Sequence, residues 1–312
     1  MTRYKLLLLY AILFLSCDSL PSNEIDIKLP PVDNKLVFHG FLIDRDSTIT
    51  IHLDNSVGFF EQDTLETALI GDLPGAQITV YSDDLLISHL SYIPLESRLS
   101  GEINTINNYT DTFPSRLDEY GTNFRISVKH PDFEDILAEQ DLPDLPPNPE
   151  INLVEGLGTD ISGNITPGLV ISFQDPSDTE NYYEVLCHGI LKGSTQHDQR
   201  LIQVSSNNPV FKVRDEFFPS AGSLLMKDGS FNGSKFSFSF YFTQKIEPFE
   251  TLIISWRSIS KEWYQYLDSE REQDRLNGLL GNFAEPFNVI SNISGGYGAF
   301  GVCRELVYTI KL

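Results

Sequence analysis

The chain closes on Ile290–Leu312, ISNISGGYGAFGVCRELVYTIKL, in which Gly296, Gly298 and Gly301 spell G-x-G-x-x-G. A dinucleotide cradle of that spelling needs a strand before it, a helix opening at the last glycine and an acidic residue about 20 positions further on. Only Val302–Leu312 follows, and VCRELVYTIKL is rich in β-branched and aromatic residues, so it reads as a final strand. The glycines are then a turn between a strand over NVISNI (288–293) and that last strand, at positions that require positive φ or close backbone approach. Tyr297 and Phe300 fall at this turn, as cover for an edge of the core or as aromatic anchors for a partner.

Working back from this end, the same signals recur. KLVFHGFLI, TITIHLDNSVGFF, GAQITVYSDD and GTNFRISVKH alternate with period two, separated by turn pairs such as Pro74-Gly75 and Asp83-Asp84. This predicts an immunoglobulin-like or transthyretin-like β-sandwich over residues 35–142. The polar stretch SRLSGEINTINNYTDTF (97–113) reads as a long loop. At Leu142–Glu150, LPDLPPNPE carries four prolines in nine residues, which forbid a helix and mark a stiff linker over 143–150. Residues 151–312 again run in apolar or alternating strands: GLVISFQDP, NYYEVLCHGILKG, RLIQVSS, SKFSFSFYFTQKI and ETLIISWRSIS. One helix interrupts them. In SISKEWYQYLDSEREQDRL, Ile259, Trp263, Tyr266 and Leu267 form a helical stripe, with Ser258 or Ser260 as N-cap and an acidic opposite face. The fold class expected is therefore mainly β, a sandwich followed by a second β-rich domain with one amphipathic helix.

The amino terminus sets the compartment. MTRYKLLLLYAILFLS places Arg3 and Lys5 ahead of an apolar run too short to span a bilayer, the layout of an export signal over residues 1–16. Cys17 follows Leu15 and Ser16 in an arrangement that resembles a lipobox, which implies a diacylated Cys17 and an anchored, non-spanning mature protein. Residues 17–34 are polar, acidic and proline-bearing, and suit a tether. The formal charge is −22, and loss of Arg3 and Lys5 with the signal makes it −24, a balance that repels nucleic acid.

Cys187 and Cys303 sit in expected strands. An exported compartment permits a bridge between them, and two separate buried thiols suit the sequence equally well. No histidine pair has metal-ligand spacing, and no nucleophile elbow or P-loop occurs. Hard-oxygen clusters at Asp175, Asp178 and Glu180, and at Asp44 with Asp46, lack the ligand count of a known calcium loop and read as turns, so no metal or other cofactor is expected.

Taken in order, LVFHGFL, GAQITVY, the proline linker, FQDPSDTENYYEV, SISKEWYQYL and FAEPFNVISNISGGYGAFG make the chain resemble, from about Lys35 to its end, a family of uncharacterised outer-membrane lipoproteins of the Bacteroidota, known as a domain of unknown function. Members are typically encoded beside TonB-dependent receptors. The resemblance implies a non-enzymatic accessory or ligand-capture protein of such a receptor, anchored to the outer membrane, and supplies no catalytic residues. The triplets at Asp18, Asp46 and Asp63 also resemble the O-glycosylation pattern of that phylum, which would modify Ser19, Ser47 and Thr64. A structural or adhesive envelope protein, or a hydrolase whose site assembles only in three dimensions, are the competing readings.

Overall fold

The computed structural model describes residues 34–56, 73–99, 106–177, 179–194, 199–211, 223–280 and 289–312. The expected signal, the tether as far as Asp33, Cys17, Ser19, Thr64 and Asp178 lie outside the described residues. The strands are β1 (Leu36–Ile43), β2 (Thr48–Asn55), β3 (Gln77–Ser82), β4 (Leu85–Tyr92), β5 (Tyr109–Thr112), β6 (Asn123–Lys129), β7 (Ile136–Asp141), β8 (Glu150–Thr159), β9 (Ile165–Gln174), β10 (Tyr182–Leu191), β11 (Gln199–Leu201), β12 (Val204–Ser205), β13 (Ser223–Lys227), β14 (Lys235–Phe242), β15 (Phe249–Ile259) and β16 (Tyr297–Lys311). Among the described residues two α-helices accompany them, α1 (Leu95–Leu99) and α2 (Lys261–Leu280).

One strand path runs β11-β10-β15-β16-β1-β2-β5-β4-β3-β6-β7, with β13 also paired to β10. Its second part wraps around a core. β1, β2, β3, β6 and β7 each bury alternate residues, among them Leu36, Phe38, Ile51, Val80, Phe124 and Ile136, and Phe300 and Val302 of β16 complete the cluster. The wrap closes where Leu137 and Ser294 exchange two backbone hydrogen bonds, of 3.1 and 2.9 Å. The expected strand over 288–293 is absent among the described residues; only this bridge at Ser294 precedes the turn.

A second sheet, β12-β14-β9-β8, lies across another core from β10, β15 and the far half of β16. Phe238, Phe240 and Phe242 of β14 and Leu169, Ile171 and Phe173 of β9 meet Val185, Cys187, Ile254 and Trp256 there. The Trp256 indole stacks on Tyr183 at 4.9 Å and donates to the Pro147 carbonyl at 2.9 Å, which ties the proline linker to this core. There are thus two cores but not two separable bodies. Asn34–Leu312 is a single compact unit, because β16 serves the expected domain 35–142 with its first half and 151–312 with its second.

Helix α2 packs over the junction. Trp263 stacks on Phe41 of β1 at 4.6 Å, and Tyr264 and Tyr266 are buried; of the expected stripe Trp263, Tyr266 and Leu267 lie on the helix and Tyr264 joins them, whereas Ile259 is the last residue of β15. The Ser260 carbonyl accepts the first helical bond, from Tyr264 N–H at 3.0 Å, but its buried hydroxyl has no hydrogen-bond partner among the described residues, and Ser258 lies within β15, so neither serine caps the helix with its side chain there. The expected loop 97–113 is also revised: it contains the end of α1 and all of β5. Its polarity hides a strand because Asn108 spends its side chain on the backbone of Leu53, accepting at 2.8 Å and donating at 2.6 Å, while Tyr109 and Phe113 are buried.

Gly298 has φ +98°, and a Cβ there would lie 2.0 Å from the Phe38 carbonyl oxygen. Gly298→Val is expected to lower stability by about 3 kcal/mol, the upper end for a strained backbone position, read by urea unfolding. His39, whose Nδ1 is 3.1 Å from the Tyr266 hydroxyl, is held down from 6.5 to about 4 by burial first and His52 second. The unfolded chain therefore binds the proton that the folded one refuses. The contribution is complete above about pH 6.5 and is lost as pH falls toward 4, so His39→Gln should flatten the decline of the urea midpoint across that window.

Candidate functional site

The face of β10, β15 and β16 turned away from the aromatic core forms a grid, because successive side chains of a strand alternate between faces. Register places Glu184, Arg257 and Glu305 in one row, then Leu186, Ser255 and Val307, then His188, Ile253 and Thr309, then Ile190, Thr251 and Lys311. Over the last three rows and the edge of the first lies a cavity of about 690 Å³, walled by Ser194 and Gln199 beside β10 and by Asp46 at the other end. Its lining mixes hydroxyls, the Gln199 amide, the charged Glu250 and Lys311 and the apolar Ile253 and Val307.

The first row is an ion cluster. Arg257 donates from Nε to Glu305 Oε1 at 2.9 Å and from Nη1 to Glu184 Oε2 at 3.1 Å, and its guanidinium lies 5.5 Å from the Phe41 ring centre. The three side chains are only 13 %, 7 % and 11 % exposed in the order Arg257, Glu184, Glu305. Burial pulls the guanidinium pKa down, and the Glu184 and Glu305 carboxylates outweigh it, so the net shift is upward. Burial and then Arg257 lower His188, which favours its neutral form. Mutually satisfied charges beside a neutral imidazole suit the fixing of a polar ligand by hydrogen bonds. The cluster was not legible in sequence, since its members come from three strands and each is an ordinary charged residue in an alternating pattern.

Apart from Asp46, which walls the cavity, the sequence candidates fall elsewhere. Cys187 and Cys303 are free, buried thiols. They stand opposite Ile254 and Ile259, five positions apart along β15, which is too far for a bridge. Phe300 is fully buried against Phe38, ring centres 6.4 Å apart, and offers nothing to a partner; Tyr297 is 45 % exposed, with Lys35 Nζ 5.6 Å from its ring centre. Asp175 is buried and accepts from Tyr183 O–H at 2.7 Å and Gly233 N–H at 3.0 Å, so it braces the second core. Glu180 is exposed and pairs with Lys261 at 3.6 Å. Asp44 is buried and accepts from Glu305 N–H at 3.1 Å, whereas Asp46 and Ser47 are exposed in the β1–β2 turn. Among the described residues no group of three or more His, Cys, Asp or Glu is placed to hold a metal ion.

Arg257→Met would leave two buried carboxylates without a cation and is expected to cost about 3–5 kcal/mol in urea unfolding. Adding Glu184→Gln and Glu305→Gln to it should recover much of that loss, since the uncompensated charge is then gone.

Among the described residues no helix is long and apolar enough to cross a membrane. A yeast delta-COP-I mu-homology domain aligns over 89 % of this chain and 97 % of its own, at 9 % identity and a TM-score of 0.22, too low to carry any argument. No curated protein matches. Residues 22–309 match the family described as Domain of unknown function (DUF4249), which takes in every strand of both cores but the last two residues of β16, and the chain belongs to that family.

Proposed function

We propose that this protein is a non-enzymatic, lipid-anchored protein of the outer membrane that captures a ligand for a TonB-dependent receptor. The observation that carries the capture role is the ligand-sized cavity on the β10–β15–β16 face, where Arg257 and Glu305 are already paired, hydroxyls, an amide and an imidazole stand beside apolar Ile253 and Val307, and Asp46, Glu250 and Lys311 add further charge. The membrane setting is supported by the signal layout ahead of Cys17 and by the family resemblance. A continuous sheet suits such a role. The chain leaves the tether directly into β1, which pairs with the same strand that floors the cavity.

A structural or adhesive role is favoured by one different feature, the β8–β9 hairpin, where Ile161 and Ile165 are each 79 % exposed. Purification of the tagged protein from detergent-solubilised outer membrane separates the two. Recovery of a TonB-dependent receptor that persists in an Ile161→Ser, Ile165→Ser variant supports capture; recovery of envelope matrix alone, lost in that variant, supports adhesion. Cys17→Ala should shift the protein from the membrane to the soluble fraction and abolish labelling by an alkyne fatty acid; equal labelling of the variant would overturn the anchor.

A further inference from the structure

Strand β16 is paired on both sides only as far as Cys303. The β1 register ends at Ile43 opposite Cys303, whereas β15 continues beside β16 to Lys311. The direction of the free groups follows from their neighbours. Cys303 C=O accepts from Asp44 N–H at 3.0 Å, and Glu305 N–H donates to Asp44 Oδ1 at 3.1 Å, so odd-numbered residues turn their backbone toward the β1 side; Leu312 N–H donates to Glu250 C=O on the opposite side. The backbone N–H and C=O of Val307, Thr309 and Lys311 therefore form an open edge, with no backbone partner among the described residues. An edge of this kind is a template for an added strand.

Both faces beside that edge are hollow. The outer one is the cavity of about 690 Å³ already described. On the inner one, a groove of about 430 Å³ runs between the edge and the linker, with Leu145, Leu306 and Tyr308 as its apolar part and Arg45, Arg116 and Arg304 at its Asp44 end. The linker cannot fill the edge itself, because prolines at 143, 146, 147 and 149 leave it short of donors. The arginines are unusual in a chain of formal charge −22. Arg116 pairs with Asp118 at 2.8 Å, while the buried Nε of Arg304 makes no hydrogen bond among the described residues. Guanidinium groups bind carboxylates through paired donors, and these lie where an added strand would end.

We infer that the open edge of β16 takes up an extended peptide by strand addition, antiparallel to β16, with the peptide's free C-terminal carboxylate held among Arg45, Arg116 and Arg304 and its side chains alternating between the outer cavity and the inner groove. The direction follows from the geometry: a chain that ends beside Arg304 and Asp44 must enter from the Lys311 end, opposite to the course of β16. This rests on the reading of the outer cavity as a ligand site, and is independent of the lipid anchor.

The test uses the detergent-solubilised full chain and a library of random heptapeptides displayed with free C-termini. Selected peptides are synthesised as acids and as amides, and their binding is followed by fluorescence anisotropy. The acids should bind roughly tenfold or more tighter than the amides, the scale of a lost charge-assisted hydrogen bond, and Arg304→Gln should erase that preference. Val307→Pro removes an edge donor while leaving the β15 side paired, and should abolish binding that Val307→Thr retains. A library that yields no binder, peptides that bind equally as amides, or peptides indifferent to Val307→Pro would each overturn the assignment. So would self-association lost in Val307→Pro, which would put a second copy on the edge. Recovery of a TonB-dependent receptor alongside any of these results leaves the accessory role standing and removes only the peptide.

Discussion

The close approach of β16 to β1 is the constraint on which the molecule depends. The first half of β16 must lie parallel against β1, near enough that the Phe38 carbonyl occupies the space a side chain at position 298 would need. Only a residue without Cβ permits this, and once it is permitted three things follow. Phe300 and Val302 enter the first core, Cys303 sits under helix α2, and the remainder of the strand is delivered in register to β15 and the aromatic core. Gly301 repeats the device one turn of the pleat later, where a Cβ would meet the Trp263 ring at 2.5 Å, so the helix too is seated on a missing side chain.

Sequence reading recovers the elements that carry their own period. β1, β3, β6, β9, β10, β14, β15 and the stripe of α2 are visible as alternation or a helical repeat, and the closing segment is legible as turn and strand. What escapes it has physical causes. β5 is masked because Asn108 and Tyr109 turn polar atoms into backbone surrogates and core at once, the Tyr109 hydroxyl donating to the Leu73 carbonyl at 2.7 Å. Asn292 does the same before β16, accepting from Phe300 N–H at 2.9 Å and donating to its C=O at 2.7 Å, so the segment expected as a strand is an irregular stretch braced by a side chain. Edge strand β8 is mostly exposed, with Ile151 partly buried against the second core, and its apolar residues break their alternation at Glu155 and Gly156.

The candidate site lay beyond the sequence for a different reason. Glu184, Arg257 and Glu305 acquire meaning only through a register that spans the whole second half of the chain, and each alone is a charged residue of ordinary spacing. Conversely, the residues that sequence does single out, such as Asp175 and Phe300, are distinctive because the cores need them. A carboxylate that is buried and accepts from Tyr183 and Gly233 on its two oxygens is committed to the core and out of a ligand's reach.

The pairing of β1 with β16 also bears on how the chain is made. Asp44 and Glu305, which hydrogen-bond to each other, are 261 residues apart, so the first core cannot be completed until nearly the last residue has emerged. Loop closure over such a distance comes late in folding. Without β16, β1 would keep one side unpaired, so a chain cut short before its closing strand would expose a long apolar edge beside an open core.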